Sequence, residues 1–303
     1  MSVSKTLFRA AFALAAVSAA ASASGADAWR DREIARLAAR TDRDSLIAAV
    51  LLDPANPAPA RAARERLARD HGTDVLAATA LAWACQRDAA CDRQTGGAYA
   101  KVAPDDALAY LILPAGAAPD AAQLHAAAGA KYADSRIGAV LGVVRAALPA
   151  TDDASREQRR AAVEAVPLPV FAGVVTLCKA PAQAALKADC LAVGKLLAAD
   201  RSGAILVRMI GSVLVRRAAP GTPDAAAALA LRRDYVWMGE VLANATPAER
   251  DRLQADIVEL GEWTATQHAA QRATGRTAPP ADWAPKDPNL LRLPEERTPP
   301  SSP

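Results

Sequence analysis

The residues best equipped for chemistry are four cysteines, Cys85, Cys91, Cys178 and Cys190, spaced six and twelve positions apart within each pair. Thiolates that bind zinc or run thiol–disulfide exchange usually sit as C-x-x-C or close to histidine. Neither spacing occurs here. An even number of cysteines suits an oxidising compartment, so structural disulfides are the expectation. Of the three pairings, the sequential one is preferred: Cys85–Cys91 with Cys178–Cys190. A bridge needs Cα atoms within about 7 Å, whereas six helical steps cover about 9 Å and twelve about 18 Å. The chain must therefore reverse inside each pair. Pro181 supplies a helix stop for the second pair, and the polar Gln86-Arg87-Asp88 a weaker turn for the first.

Other chemistry is thinly represented. His71 precedes Gly72 and fits a solvated helix C-terminus, His125 has no acidic or cysteine neighbour at ligand spacing, and His268 lies between Gln267 and Gln271. There is no H-E-x-x-H, no G-x-S-x-G and no S-x-x-K opening an apolar helix, and Gly194-Lys195 lacks a glycine-rich phosphate loop. No metal ligand, cofactor or nucleophile is predicted. Paired carboxylates carry no motif, because two acids about 5–10 Å apart can come from anywhere in a fold. Glu157, Glu164, Glu240 and Glu259 are candidates for such a pair, each more simply read as solvated or salt-bridged. Arg32, Arg36 and Arg40 share a helical face at i,i+4 spacing, where like charges repel modestly. The stripe suits an acidic partner or lipid headgroups, or else a solvated face offset by Asp31, Glu33, Asp42 and Asp44. Trp83, Tyr235 and Trp237 read as core anchors.

The elements that position these residues are helices. Of 303 residues 80 are Ala, and aromatic residues make up only 4%. Ala loses no side-chain entropy in a helix, whereas strands favour β-branched and aromatic residues. The composition predicts an all-α chain of consecutive antiparallel helical hairpins. Residues 1–28 are expected to be a secretory signal peptide: Lys5 and Arg9 are followed by the uncharged run Ala10–Ala21 and by small-residue cleavage sites at Ala21-Ser22-Ala23 and Ala26-Asp27-Ala28. The run is shorter than the roughly 20 residues of a membrane span. Cleavage after Ala23 takes Lys5 and Arg9 away and lowers the formal charge from +3 to +1; cleavage after Ala28 also removes Asp27 and leaves +2. Such a balance leaves no electrostatic footprint for nucleic acid. The apolar run Gly203–Val215 is too short to span a bilayer and reads as a buried helix face, so no integral membrane segment is expected after cleavage. The protein is expected to be periplasmic or secreted.

Helical periodicity runs from Trp29 to about Arg272. Predicted starts include Thr41 or Asp42, Asp74, Ser202, Thr222-Pro223 and the capping box Thr246-Pro247-Ala248-Glu249. The last opens a helix with Leu253, Ile257, Leu260 and Trp263 on one face. Asp74, Asp105 and Asp134 precede apolar helices at spacings of 31 and 29, a period typical of helical-hairpin repeats. The stretch Tyr99–Tyr110 then resembles the repeat junction of the tetratricopeptide family: Pro104, Ala107, Ala109, Tyr110 and Leu113 match, although Pro114 stands where a Gly is expected. The resemblance implies binding of a peptide or protein partner on a concave surface.

The expected organisation is hairpin repeats over 29–150, a helical subdomain over 151–275 beginning at the polar stretch Thr151–Arg160, and a disordered Pro-rich tail over 276–303. Within the tail, Trp283 and Leu290-Leu291 stand out as anchors that dock on a partner or back onto the helices. The function expected is non-catalytic protein binding or scaffolding by Arg32, Arg36, Arg40 and Trp283. A helical hydrolase of cell-wall or secreted substrates, and a secreted effector or inhibitor, are the alternatives.

Overall fold

The computed structural model describes residues 27–52, 58–89, 91, 97–179 and 184–297. Among these, every regular element is a helix and none is a strand. Residues 1–26 of the expected signal peptide (1–28), most of the Asp53–Pro59 turn, Pro181 and residues 298–303 lie outside the described residues. In chain order the helices are α1 (27–38), α2 (Arg43–Leu51), α3 (Ala58–His71), α4 (Val75–Cys85), α5 (Ala98–Val102), α6 (Leu108–Leu111), α7 (Ala121–Ala128) and α8 (Ile137–Ala147). They continue with α9 (Asp153–Glu164), α10 (Ala172–Leu177), α11 (Ala184–Ala198), α12 (Ile205–Ala218), α13 (Pro223–Leu242), α14 (Pro247–Leu260) and α15 (Glu262–Thr274). None of them is long and apolar enough to cross a membrane.

The chain forms two compact units, one of residues 1–71 with 143–167 and the other of 72–142 with 168–303, so both draw on both sides of Thr151. In the first unit α1 buries Trp29, Ile34 and Leu37, as its periodicity predicts. Asp42 caps α2 by accepting the Ser45 N–H, and α2 packs against α3 with Leu46, Ile47, Val50 and Leu51 inside. The C-terminal carbonyls of α1 would be orphaned. Arg66 of α3 donates to the carbonyls of Ala38 and Arg40, and His71 meets the Thr41 carbonyl at 3.1 Å.

The second unit is built of successive packed helices: α11 on α12, α12 on α13, and α14 on α15. The α11–α12 contact is close because two glycines meet it. A methyl group at Gly194 would lie 2.9 Å from the Val215 nitrogen, and one at Gly211 would lie 2.7 Å from the Gly194 carbonyl oxygen. Asp74, Asp120, Thr222 and Thr246 all cap helices, the last through the predicted capping box with Glu249.

Three local readings are corrected. The helix opened by Thr246 breaks at Gly261, which has φ +80° and separates α14 from α15. A side chain there would approach the Ser202 carbonyl oxygen to 2.6 Å. Leu260 is consequently exposed while Trp263 is buried. Ser202 does not cap α12; Ala204 holds that position without a side-chain bond. The stretch resembling a tetratricopeptide junction forms helices of only five and four residues, because the chain bends between them to bury Asp106. The three spaced aspartates also do different work: Asp74 caps α4, Asp105 pairs with Lys131, and Asp134 pairs with Arg136.

Over 276–297 the Pro-rich segment runs through a hydrogen-bonded turn at Pro280–Trp283 and two single turns of 3₁₀ helix, at Pro288–Leu291 and Pro294–Glu296, joined by short irregular stretches. Its anchors dock back onto the helices. Trp283 packs against the cluster of Met209, Trp237, Met238 and Trp263, while Leu293, which sequence reading passed over, is the buried leucine and Leu290 is exposed.

Candidate functional site

The cysteines meet in the two sequential pairs. Cys85 ends α4, the turn from Gln86 brings Cys91 back, and the Cα atoms lie 5.3 Å apart. Cys178 follows α10 and meets Cys190 of α11 at a Cα separation of 5.8 Å. Disulfides of this kind persist in an oxidising environment. The turn also does positioning work: the Gln86 amide accepts the Val170 N–H and donates to the Val170 carbonyl, and Arg87 donates to the Leu168 carbonyl. Leu168 and Val170 are thereby presented with their side chains exposed.

Two buried polar clusters lie in the second unit. Asp106, with no exposed surface, accepts from the Tyr99 hydroxyl at 2.7 Å, the Arg136 guanidinium at 2.8 Å, and the Leu108 and Asp134 amides. Arg136 also donates to the Tyr99 oxygen and the Asp134 carbonyl. Burial works against the charge of Arg136, but Tyr99, Asp106 and Asp134 hold its pKa above the ordinary value. Burial, reinforced by Asp106, raises the Tyr99 phenol, which therefore stays a neutral donor.

The second cluster is centred on Asp200, also without exposed surface. One oxygen accepts the Ser135 N–H at 2.8 Å; the other accepts from the Ser135 and Ser202 hydroxyls and the Ala204 N–H. Glu262 accepts the Ile205 N–H at 2.8 Å. Burial raises the Asp200 carboxyl pKa against the pull of its donors, and it raises Glu262 too, with Asp200 adding repulsion. The two clusters share one stretch of chain. Arg136 has φ +52° and reaches one cluster with its side chain and the other through its N–H to Ser202. A non-glycine residue in that region costs about 1–3 kcal/mol unless its surroundings hold it there.

Neighbouring carboxylates of raised pKa have the electrostatics of a general acid. Here each accepts one N–H at the start of α12, Asp200 from Ala204 and Glu262 from Ile205, where free N–H groups and the helix dipole attract negative charge. Sequence reading missed both acids; the Asp200-Arg201-Ser202-Gly203 turn signal after α11 was the available clue.

The third feature is a row of arginines on α12 and α13 that grips the C-terminal segment. Arg216 donates to the Leu291 carbonyl and Arg232 to that of Leu290, at 2.8 and 2.7 Å. Arg233 donates to the carbonyls of Pro280, Ala281 and Trp283. Its guanidinium also lies 5.6 Å from the Trp283 ring centre. Arg217 makes a two-pronged pair with Glu295, which lowers that carboxyl to about 2.

The sequence-predicted residues are dispersed. Arg36 pairs with Glu33 and donates to the Ala147 carbonyl, Arg40 pairs with Asp42, and Arg32 is exposed. Glu157 pairs with Arg160, Glu240 accepts the Lys286 N–H, and Glu164 and Glu259 are exposed. His125 meets Asp189 at 3.2 Å on the surface, and His268 is exposed. Trp83 and Trp237 are buried, and Tyr235 packs on the same cluster as Trp237. Among the described residues no group of His, Cys, Asp or Glu is arranged to hold a metal ion. An open cleft of about 360 Å³ lies beside the gripped segment, lined by Pro220, Ala225, Ala226, Leu229 and Leu293. Compared with protein-family models, curated proteins and solved structures, the chain matches none of them.

Proposed function

We propose that this is an exported, non-catalytic helical protein that binds or scaffolds a partner protein in the periplasm or outside the cell. The observation that carries the reading is the α12–α13 surface, which holds a proline-containing, turn-rich segment through its main-chain carbonyls, acceptors that any peptide offers. The charged run, apolar run and cleavage sites of residues 1–28 and the two disulfides support export. Expression with the native leader in an exporting host, followed by native purification of the full mature chain, tests it. The expected product begins at Ser24 or Trp29, titrates no free thiol, and carries a protein partner in a fixed molar ratio. A chain that retains its leader, or that stays alone at every concentration in the presence of the host's exported proteins, would sink the reading.

A second reading, hydrolysis by paired carboxylates, has one observation in its favour: the carboxyls of buried Asp200 and half-buried Glu262 have N–H donors, Ala204 and Ile205, that are successive residues, with Asp200 adding to the rise that burial gives Glu262. It requires that Glu262→Gln abolish hydrolysis of a cell-wall polymer while leaving the melting transition in place.

A further inference from the structure

The grip on the C-terminal segment defines what kind of ligand the surface takes. Of the four arginines that grip the segment, Arg216, Arg232 and Arg233 bind its carbonyl oxygens, which every peptide offers, so they fix the path of the backbone without selecting a sequence. Proline suits that path because it has no N–H to satisfy and its fixed φ favours turns and the first position of a helical turn. Selection must come from three side chains. Trp283 packs on a cluster that includes Trp237 and Tyr235 under the Arg233 guanidinium, Leu293 is buried, and Glu295 receives both prongs of Arg217. Glu296 adds a longer pair to Arg216 at 3.6 Å.

The hold is concentrated at Trp283, Leu293 and Glu295. Residues 294–297 are exposed along with most of 281–290, and exposed stretches open at lower free-energy cost than packed helices. The surface also continues past the resident segment. The open cleft beside Leu293 exposes Leu229 and is lined by Ala225 and Ala226, leaving apolar room that the segment does not fill.

We propose that the α12–α13 face is a recognition groove for a turn-forming, proline-containing peptide of a partner protein. That peptide carries a tryptophan and, twelve residues on, an acidic pair facing Arg216 and Arg217. The chain's own residues 280–297 occupy the groove as a built-in competitor. This rests on the binding reading above and names its ligand and its regulation. A tethered competitor acts at an effective concentration in the millimolar range, and a groove open only part of the time shows an affinity reduced by that fraction.

The test uses the full mature chain and a fluorescein-labelled peptide of the sequence Pro280–Arg297. Loosening the resident segment with Leu293→Ala and Glu295→Ala should tighten peptide binding by at least about tenfold over the unmodified chain. Adding Arg233→Ala should weaken it again, and a peptide with Ala in place of its tryptophan should not bind. Circular dichroism checks that each variant is folded. If the loosened variant does not fold, hydrogen exchange on the unmodified chain replaces it: saturating peptide should speed exchange at the Trp283 and Lys286 amides. Equal affinity for both chains, no binding to either, or unchanged exchange would overturn the proposal. So would a dimer that forms on loosening and excludes the peptide, which would make a second copy the occupant. A natural partner retained by an Arg217→Glu, Arg233→Glu chain would leave the binding reading standing and remove only this inference.

Discussion

Asp106 and Asp200 are both fully buried in the same unit, yet they are stabilised by opposite means. Asp106 has a cation, Arg136, within 2.8 Å. Asp200 has none in its donor set, only two N–H groups and two hydroxyls. A buried ion pair offsets its desolvation only while both partners remain. A carboxylate held by dipoles depends instead on each donor staying aimed, and its residual desolvation appears as a raised pKa. The comparison teaches where the chain is brittle: one cluster fails when a charge is lost, the other when backbone geometry shifts.

The sharpest way to break that contrast is Arg136→Ala. It leaves Asp106 buried without its cation and releases the left-handed turn that joins the clusters. A loss of about 3–5 kcal/mol is expected from removing one partner of a buried pair, read as a lower urea midpoint at unchanged slope. Asp200→Asn should cost less, about 1–3 kcal/mol, the penalty for a buried polar group facing the wrong partner. The new amide NH₂ would oppose the Ser135 N–H or the donors from Ser202 and Ala204. If Asp200→Asn proved the more damaging of the two, the distinction drawn here would be wrong.

These clusters also mark what the sequence could and could not reveal. The helices, their caps at Asp42, Asp74, Asp120 and Thr246, and the cysteine pairs follow from local signals: propensity, side-chain acceptors at fixed offsets, and spacing against helical rise. Asp106, Arg136, Asp200 and Glu262 were invisible because the partners that fix them lie 30 to 66 residues away, a separation that leaves no periodic trace. Gly261 illustrates the intermediate case. A lone Gly in a helical pattern reads as tolerated, and only the approach of the Ser202 carbonyl shows that it must break the helix. The Pro-rich composition of the C-terminal segment is legible in the sequence, but the arginines that hold it lie on helices more than forty residues earlier.

Acidification sharpens the comparison further, with a sign that can be worked out. The Asp200 carboxyl is raised in the folded state, so it binds protons more tightly folded than unfolded. Its favourable contribution is complete below the unfolded value near 3.8 and is lost as pH rises through the folded pKa. Measured against the non-ionising Asp200→Asn, the unmodified chain should therefore gain relative stability as pH falls from 7 towards 4.

Glu295 should do the reverse by a smaller amount, since it is a surface carboxylate lowered to about 2 by Arg217 and screened by water. Its contribution is present above the unfolded value near 4.5 and fades as pH drops towards 2. The advantage of the unmodified chain over Glu295→Gln should then shrink across that window, and shrink further in high salt. Parallel pH–stability profiles for the two pairs would mean that Asp200 is as well compensated as Glu295. That result would erase the difference between a charge held by dipoles and one held by a cation.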